Sequence, residues 1–135
     1  MEIELQILSI ENGEIIITEK YIKSCKFQYD TPDTASMKSN EINVKLIIEG
    51  ELKKETSEEA KKIAQWALMK TGKDVYRKVI VFMKDNDEIV REFELSQAFA
   101  IDYEENYYKE ANLTLFKLLV AQKRDKIEEV KVRDK

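Results

Sequence analysis

Oxygen ligands are the commonest chemistry-bearing side chains in this sequence, and the densest groups are Asp85-Asn86-Asp87-Glu88 and Asp102 with Glu104 and Glu105. Asp and Asn at alternate positions of the first group suit a hard cation. An EF-hand loop also needs a glycine for its turn and a distant bidentate Glu, and both are missing. Asn and Asp are ordinary turn residues, so this group reads as a solvated hairpin tip. On a strand, Asp102 and Glu104 share one face about 7 Å apart, close enough to share an ion. The competing reading is a polar strand face turned to solvent or a partner. Neither group has the apolar surroundings or the neighbouring acid or base that would raise one carboxyl for proton transfer.

Histidine is absent, which removes Ser-His and Cys-His nucleophilic pairs, imidazole metal sites and the usual group titrating near neutrality. Cys25, the single cysteine, has no intramolecular disulfide partner and falls in phase with Phe27 and Tyr29, so it reads as a small buried hydrophobe. Tyr103, Tyr107 and Tyr108 could stack a ligand, but the glutamates around them oppose bases and phosphates, which leaves a packing cluster or a subunit contact. The formal charge of −4 gives no basic field for a nucleic acid backbone, so none is expected to bind. No run approaches the ~18 consecutive apolar residues of a membrane span, so no membrane insertion is expected. The start, Met1-Glu2-Ile3-Glu4, is unlike a leader and, with the lone cysteine, fits a reducing cytoplasm. No catalytic residue, metal site or cofactor is assigned.

The 135 residues suit one domain, expected to span 1–135 with a charged end at 123–135 that frays. Ile3, Leu5 and Ile7 alternate with polar residues as in a half-buried strand, and Asn12-Gly13 predicts a tight hairpin to Ile15–Thr18. Cys25, Phe27 and Tyr29 form a third alternation. It runs into the longest loop candidate, Asp30-Thr31-Pro32-Asp33-Thr34-Ala35-Ser36-Met37-Lys38-Ser39-Asn40. Ile42, Val44, Leu46, Ile48 and Leu52 then mark one side of a long strand, with Gly50 in phase where a bend or bulge would be tolerated. Thr56-Ser57-Glu58-Glu59 has the form of a capping box, followed by Ala60, Ile63, Ala64, Ala67 and Leu68 at helical spacing. Trp66 leaves that stripe, either covering a neighbouring strand or joining an exposed contact surface. A long hairpin follows from Val75 to Tyr103, then a strand from Leu113 to Ala121 and a charged tail that ends in a short edge strand. Seven or eight strands with one helix predict a mainly antiparallel β-barrel or sandwich with the helix packed on its wall or across an end.

In the strand at 113–121, Leu113, Leu115 and Leu119 take one face while Phe116, Leu118 and Val120 take the other. Two apolar faces call for cover on both sides, and one helix cannot supply it for every strand, so self-association follows. Phe116, Leu118 and Val120 are assigned to the subunit interface, and Leu118→Asp is expected to break assembly while leaving a folded monomer.

The order of elements resembles a known family. Glu41 to Gly50, then one helix, then Tyr76-Arg77-Lys78-Val79-Ile80-Val81-Phe82, then Phe93-Glu94-Leu95-Ser96-Gln97-Ala98-Phe99-Ala100-Ile101-Asp102-Tyr103 is similar to the tube proteins of contractile injection systems. These include the haemolysin-coregulated protein (Hcp) of type VI secretion and phage tail tube proteins. The likeness runs over roughly residues 2 to 125 and is nearest to a clostridial Hcp-like group, in which a Tyr-Arg-Lys-Val strand and an Ala-Phe-x-x-Asp-Tyr segment recur. The resemblance implies a barrel of two packed sheets, six-membered rings stacked into a hollow tube, and no enzymatic activity. By it, the loop from Asp30 to Asn40 reaches the neighbouring ring. Sheath, baseplate or spike proteins and effector cargo are the implied partners, with assembly in the cytoplasm and release on firing. The Ser-Pro that often opens the helix of type VI members is replaced here by Thr56-Ser57-Glu58-Glu59. The alternative from the residues alone is a monomeric binding module using an open barrel end near Tyr103, Tyr107 and Tyr108; an enzyme relying on two carboxylates ranks third.

Overall fold

Strict alternation decides which side of each strand faces inward. The computed structural model describes residues 1–30 and 43–134. In β1 (Glu2–Ser9) Leu5 and Ile7 are buried, and in β2 (Gly13–Ile17) Ile15 and Ile17 are. The turn between them needs a left-handed residue, supplied by Gly13 at φ 74°. β3 (Ile22–Asp30) pairs with β4 (Asn43–Glu51), whose inward side carries Val44, Leu46, Ile48 and Gly50. Apart from Asp30, which ends β3, the expected stacking loop Asp30–Asn40 lies outside the described residues.

The helix α1 (Ser57–Ala67) differs from its expected stripe at both ends. Thr56 caps no helical N–H. Its Oγ1 instead accepts from the Lys53 N–H at 2.8 Å and donates to the Glu51 carbonyl at 3.0 Å, closing a 3₁₀ turn over Lys54–Thr56. At the other end the helix stops at Ala67, which leaves Leu68 77% exposed. Trp66 is buried in its place, because the segment after the helix folds back along that flank and the Val75 carbonyl accepts from the indole Nε1–H at 2.8 Å. Of the two roles open to Trp66, it takes that of a cover over a neighbouring strand.

β5 (Arg77–Asp85) and the long β6 (Glu88–Tyr108) form a hairpin closed by Asn86 and Asp87, both at positive φ. That is the geometry of a two-residue turn matched to strand twist. β7 (Leu113–Gln122) follows, and β8 (Lys131–Arg133) pairs with β6 at Glu92–Glu94. All eight strands join one antiparallel sheet in the order β2-β1-β5-β6-β7-β4-β3, with β8 beside β6. The sheet curls until β1 and β3 approach each other, and its inward residues form one core that takes in Ile63 and Trp66 from the helix.

Gly50 marks a close approach. A Cβ there would lie 2.7 Å from Cε1 and Cζ of Phe116 and 2.9 Å from the Tyr21 carbonyl oxygen. The bulge expected at Gly50 sits on the opposite strand, where the β3 register slips between Ile22 and Ser24.

Candidate functional site

The strand β7 settles the question of the two apolar faces. Phe116, Leu118 and Val120 are each 0% exposed within a single chain, facing Leu46 and Ile48 across the core. Their assignment to a subunit interface is therefore corrected: a side chain with no accessible surface in the monomer has none to offer a neighbour. Leu115, Lys117 and Leu119 point outward, and the two leucines are half-buried. Leu119 stands opposite Ile47 on β4 and Asp102 on β6. The slip in the β6–β7 register between Ala100 and Asp102 brings Asp102 and Glu104 to one outward hollow of about 140 Å³ with Ile47, Lys117 and Leu119. The two carboxylates do share a face. Lys117, opposite Glu104, places a cation where an ion would have to compete with it. Among the described residues no group of three or more Cys, Asp or Glu could hold a metal ion.

The tyrosines are organised around one carboxylate. Glu105 accepts from the Tyr103 hydroxyl at 2.6 Å through Oε2 and from the Tyr107 hydroxyl through Oε1. Burial, and then Glu105, push the Tyr103 phenol up; for Tyr107 the bond to Glu105 has the same effect. The Tyr103 ring stacks against Phe116 with centroids 6.4 Å apart, so it closes the core rather than lining a pocket. Tyr107 and Tyr108, 69% and 50% exposed, stand beyond the core at the hairpin tip. Cys25 is half-buried against the core, and burial pushes its thiol up to about 12, which keeps it protonated and unreactive.

Two polar networks stand at positions where strand phase calls for apolar residues. Arg77 is in phase with Val79, Val81 and Met83 and is 4% exposed. Its Nη2 donates to Asp74 Oδ2 at 2.6 Å, its Nε to the Asp74 carbonyl at 3.2 Å, and its guanidinium lies 5.2 Å from the Trp66 ring centre. Asp74 also accepts from Ser9 and Asn12. Burial pushes its carboxyl up, but the bonds from Ser9, Asn12 and Arg77 outweigh that and leave it below its ordinary value. Gln122, in phase with Phe116, Leu118 and Val120, is 1% exposed; its Oε1 accepts from the Gln97 N–H and its Nε2 donates to Ser96 and to the Lys126 carbonyl. Phase was the available signal for both, since a polar residue on an inward register must find partners. Both networks join distant segments of chain and have no open space for a substrate between their members.

Inward strand faces are thus filled by core, and the remaining polar groups are paired or surface-lying. This fits a structural surface better than a reaction centre. The chain superimposes on Hcp1 from Flavobacterium johnsoniae with a TM-score of 0.61, at 12% identity over 90% of each chain. The fold is that of the Hcp proteins. Hcp1 from the E. coli EAEC 042 pathovar is similar with a TM-score of 0.62, at 8% identity and with 99% of both chains covered. A chain of the sheath-tube complex of PVC, an extracellular contractile injection system in its extended state, is similar with a TM-score of 0.57, at 9% identity, over 97% of this chain and 88% of that one. No family model matches the sequence, and no curated protein is similar to it by sequence.

Proposed function

We propose that this protein is a structural, non-enzymatic subunit of the tube of a contractile injection or phage-tail-like particle, assembling into six-membered rings that stack around a channel. The observation that carries this reading is the end-to-end likeness to Hcp1, which covers 99% of both chains and so leaves no additional module on either side to carry a different activity. The outward apolar residues Ile47, Leu115 and Leu119 support it, because a half-exposed apolar strip on a strand is covered when neighbours pack side by side. The loop Asp30–Asn40 is assigned to ring stacking. Sheath, baseplate or spike proteins and effector cargo are the proposed partners, with assembly in the cytoplasm and release on firing. Among the described residues no helix is long and apolar enough to cross a membrane. The nearest kin are proposed to be the clostridial Hcp-like group.

A monomeric binding module fits less well, since Tyr103 fills the barrel end that would have to open. Negative-stain images of concentrated protein test the proposal. Annular particles with a stain-filled centre, alone or in stacks, are expected; a field of small featureless particles would overturn it.

A further inference from the structure

A head-to-tail ring needs one donor and one acceptor surface on every subunit. The longest strand, β6, carries a candidate for each. Near its middle, Gln97 helps line an open groove of about 630 Å³ with Leu8, Ile10, Lys73, Tyr76 and Lys78. Ile10 is 97% exposed there, and Tyr76 is set on edge against Phe99 with centroids 6.0 Å apart, which fixes its ring. Lys123 lies 5.0 Å over the same ring. The groove is thus apolar at its floor and rimmed by ammonium groups, and none of the described residues lining it is acidic.

The opposite chemistry stands at the end of the same strand. The β6–β7 hairpin exposes Tyr107 and Tyr108 and carries Asp102, Glu104, Glu105 and Glu110 against Lys109 and Lys117. Glu105 holds the Tyr107 hydroxyl while its other oxygen holds Tyr103, so the exposed ring is already ordered and loses little freedom on docking. Ten residues separate Gln97 from Tyr107, about 33 Å of strand, which is close to the width of a domain this size. The hairpin tip therefore does not fold back into the groove of its own chain.

We propose that the acidic, aromatic tip of the β6–β7 hairpin of one subunit seats in the lysine-rimmed groove of the next copy within the ring, an inference that rests on the ring assembly proposed above. Tyr107 and Tyr108 supply the apolar contact against Ile10 and Tyr76, and Glu104 and Glu110 face Lys73 and Lys78. Rings formed this way weaken as salt screens those pairs.

Charge exchange tests the contact on the full chain. Lys73→Glu with Lys78→Glu, and separately Glu104→Lys with Glu110→Lys, alter exposed side chains and leave the core untouched. Each double variant is expected to weaken ring formation by at least about a hundredfold in subunit concentration, measured by analytical ultracentrifugation with circular dichroism as the check on folding. The chain carrying all four changes is expected to recover rings. Rings that persist in either double variant, or a quadruple variant that stays monomeric although folded, overturn the proposed contact while the ring assembly itself stands. A parent protein that forms no ring at any concentration overturns both.

Discussion

Replacing Gly50 by alanine is a one-carbon probe of how the barrel is packed. The added methyl would sit 2.7 Å from two atoms of the Phe116 ring and 2.9 Å from the Tyr21 carbonyl oxygen, against ordinary contacts of about 3.5–4 Å. Phe116 is fully buried, so its ring can give way only by displacing other core side chains. Overpacking of this kind costs about 1–3 kcal/mol, and a displacement near 1 Å at a filled site belongs to the upper part of that range. The lower backbone entropy of alanine returns about 0.5–1 kcal/mol. The net loss is about 2 kcal/mol, and at roughly 3–4 °C per kcal/mol for a chain of this length the melting temperature falls by about 7 °C. Thermal and urea unfolding followed by far-ultraviolet circular dichroism measure it. Phe116→Leu removes the two crowded ring atoms, so in the double variant Gly50→Ala should cost about 1 kcal/mol less than it does alone. A Gly50→Ala protein as stable as its parent, or a pair of changes that simply add, would refute the packing argument.

Four shorter tests bear on other parts of the molecule. Leu118→Asp places a carboxylate at a position with no accessible surface and is expected to unfold the chain, whereas Leu119→Asp on the outward face keeps the parent's circular dichroism spectrum. Asp74→Asn leaves Arg77 buried without its ion pair and is expected to cost about 3–5 kcal/mol in urea titrations at neutral pH. Because the folded Asp74 carboxyl lies below its unfolded value near 3.9, its contribution is complete above that pH and fades as the pH falls through the folded value; the stability of the Asp74→Asn chain should therefore drop less steeply on acidification, and an unchanged slope would contradict the assignment. Cys25 should react with a thiol reagent at pH 8 only on unfolding, so equal rates in native protein and in urea would show that its burial is misjudged.

Alternation made the strands readable, because each inward residue is apolar and period two leaves little choice of face. Asn12-Gly13 and Asn86-Asp87 likewise announced their turns through their tolerance of positive φ. The two faces of β7 were separable in sequence, but not which faced inward, since both carry leucines and the deciding contact is with α1 and β4 across the barrel. Trp66 lies off the helical stripe, and only the path of the segment at 72–77 shows what buries it. The Asp74 and Gln122 networks were legible as polar residues in an apolar phase, yet their partners come from segments 62 to 65 residues away for Asp74 and 25 to 26 residues away for Gln122, distances that local pattern does not carry. The groove and hairpin tip on β6 depend on where the curled sheet leaves those surfaces.

The mass of the purified protein, measured by light scattering across a sizing column, tests the ring assembly most directly. The structure and its likeness to Hcp proteins predict a species near six times 15.9 kDa that gives way to subunits on dilution or in high salt. A single species of 15.9 kDa at every concentration would contradict it.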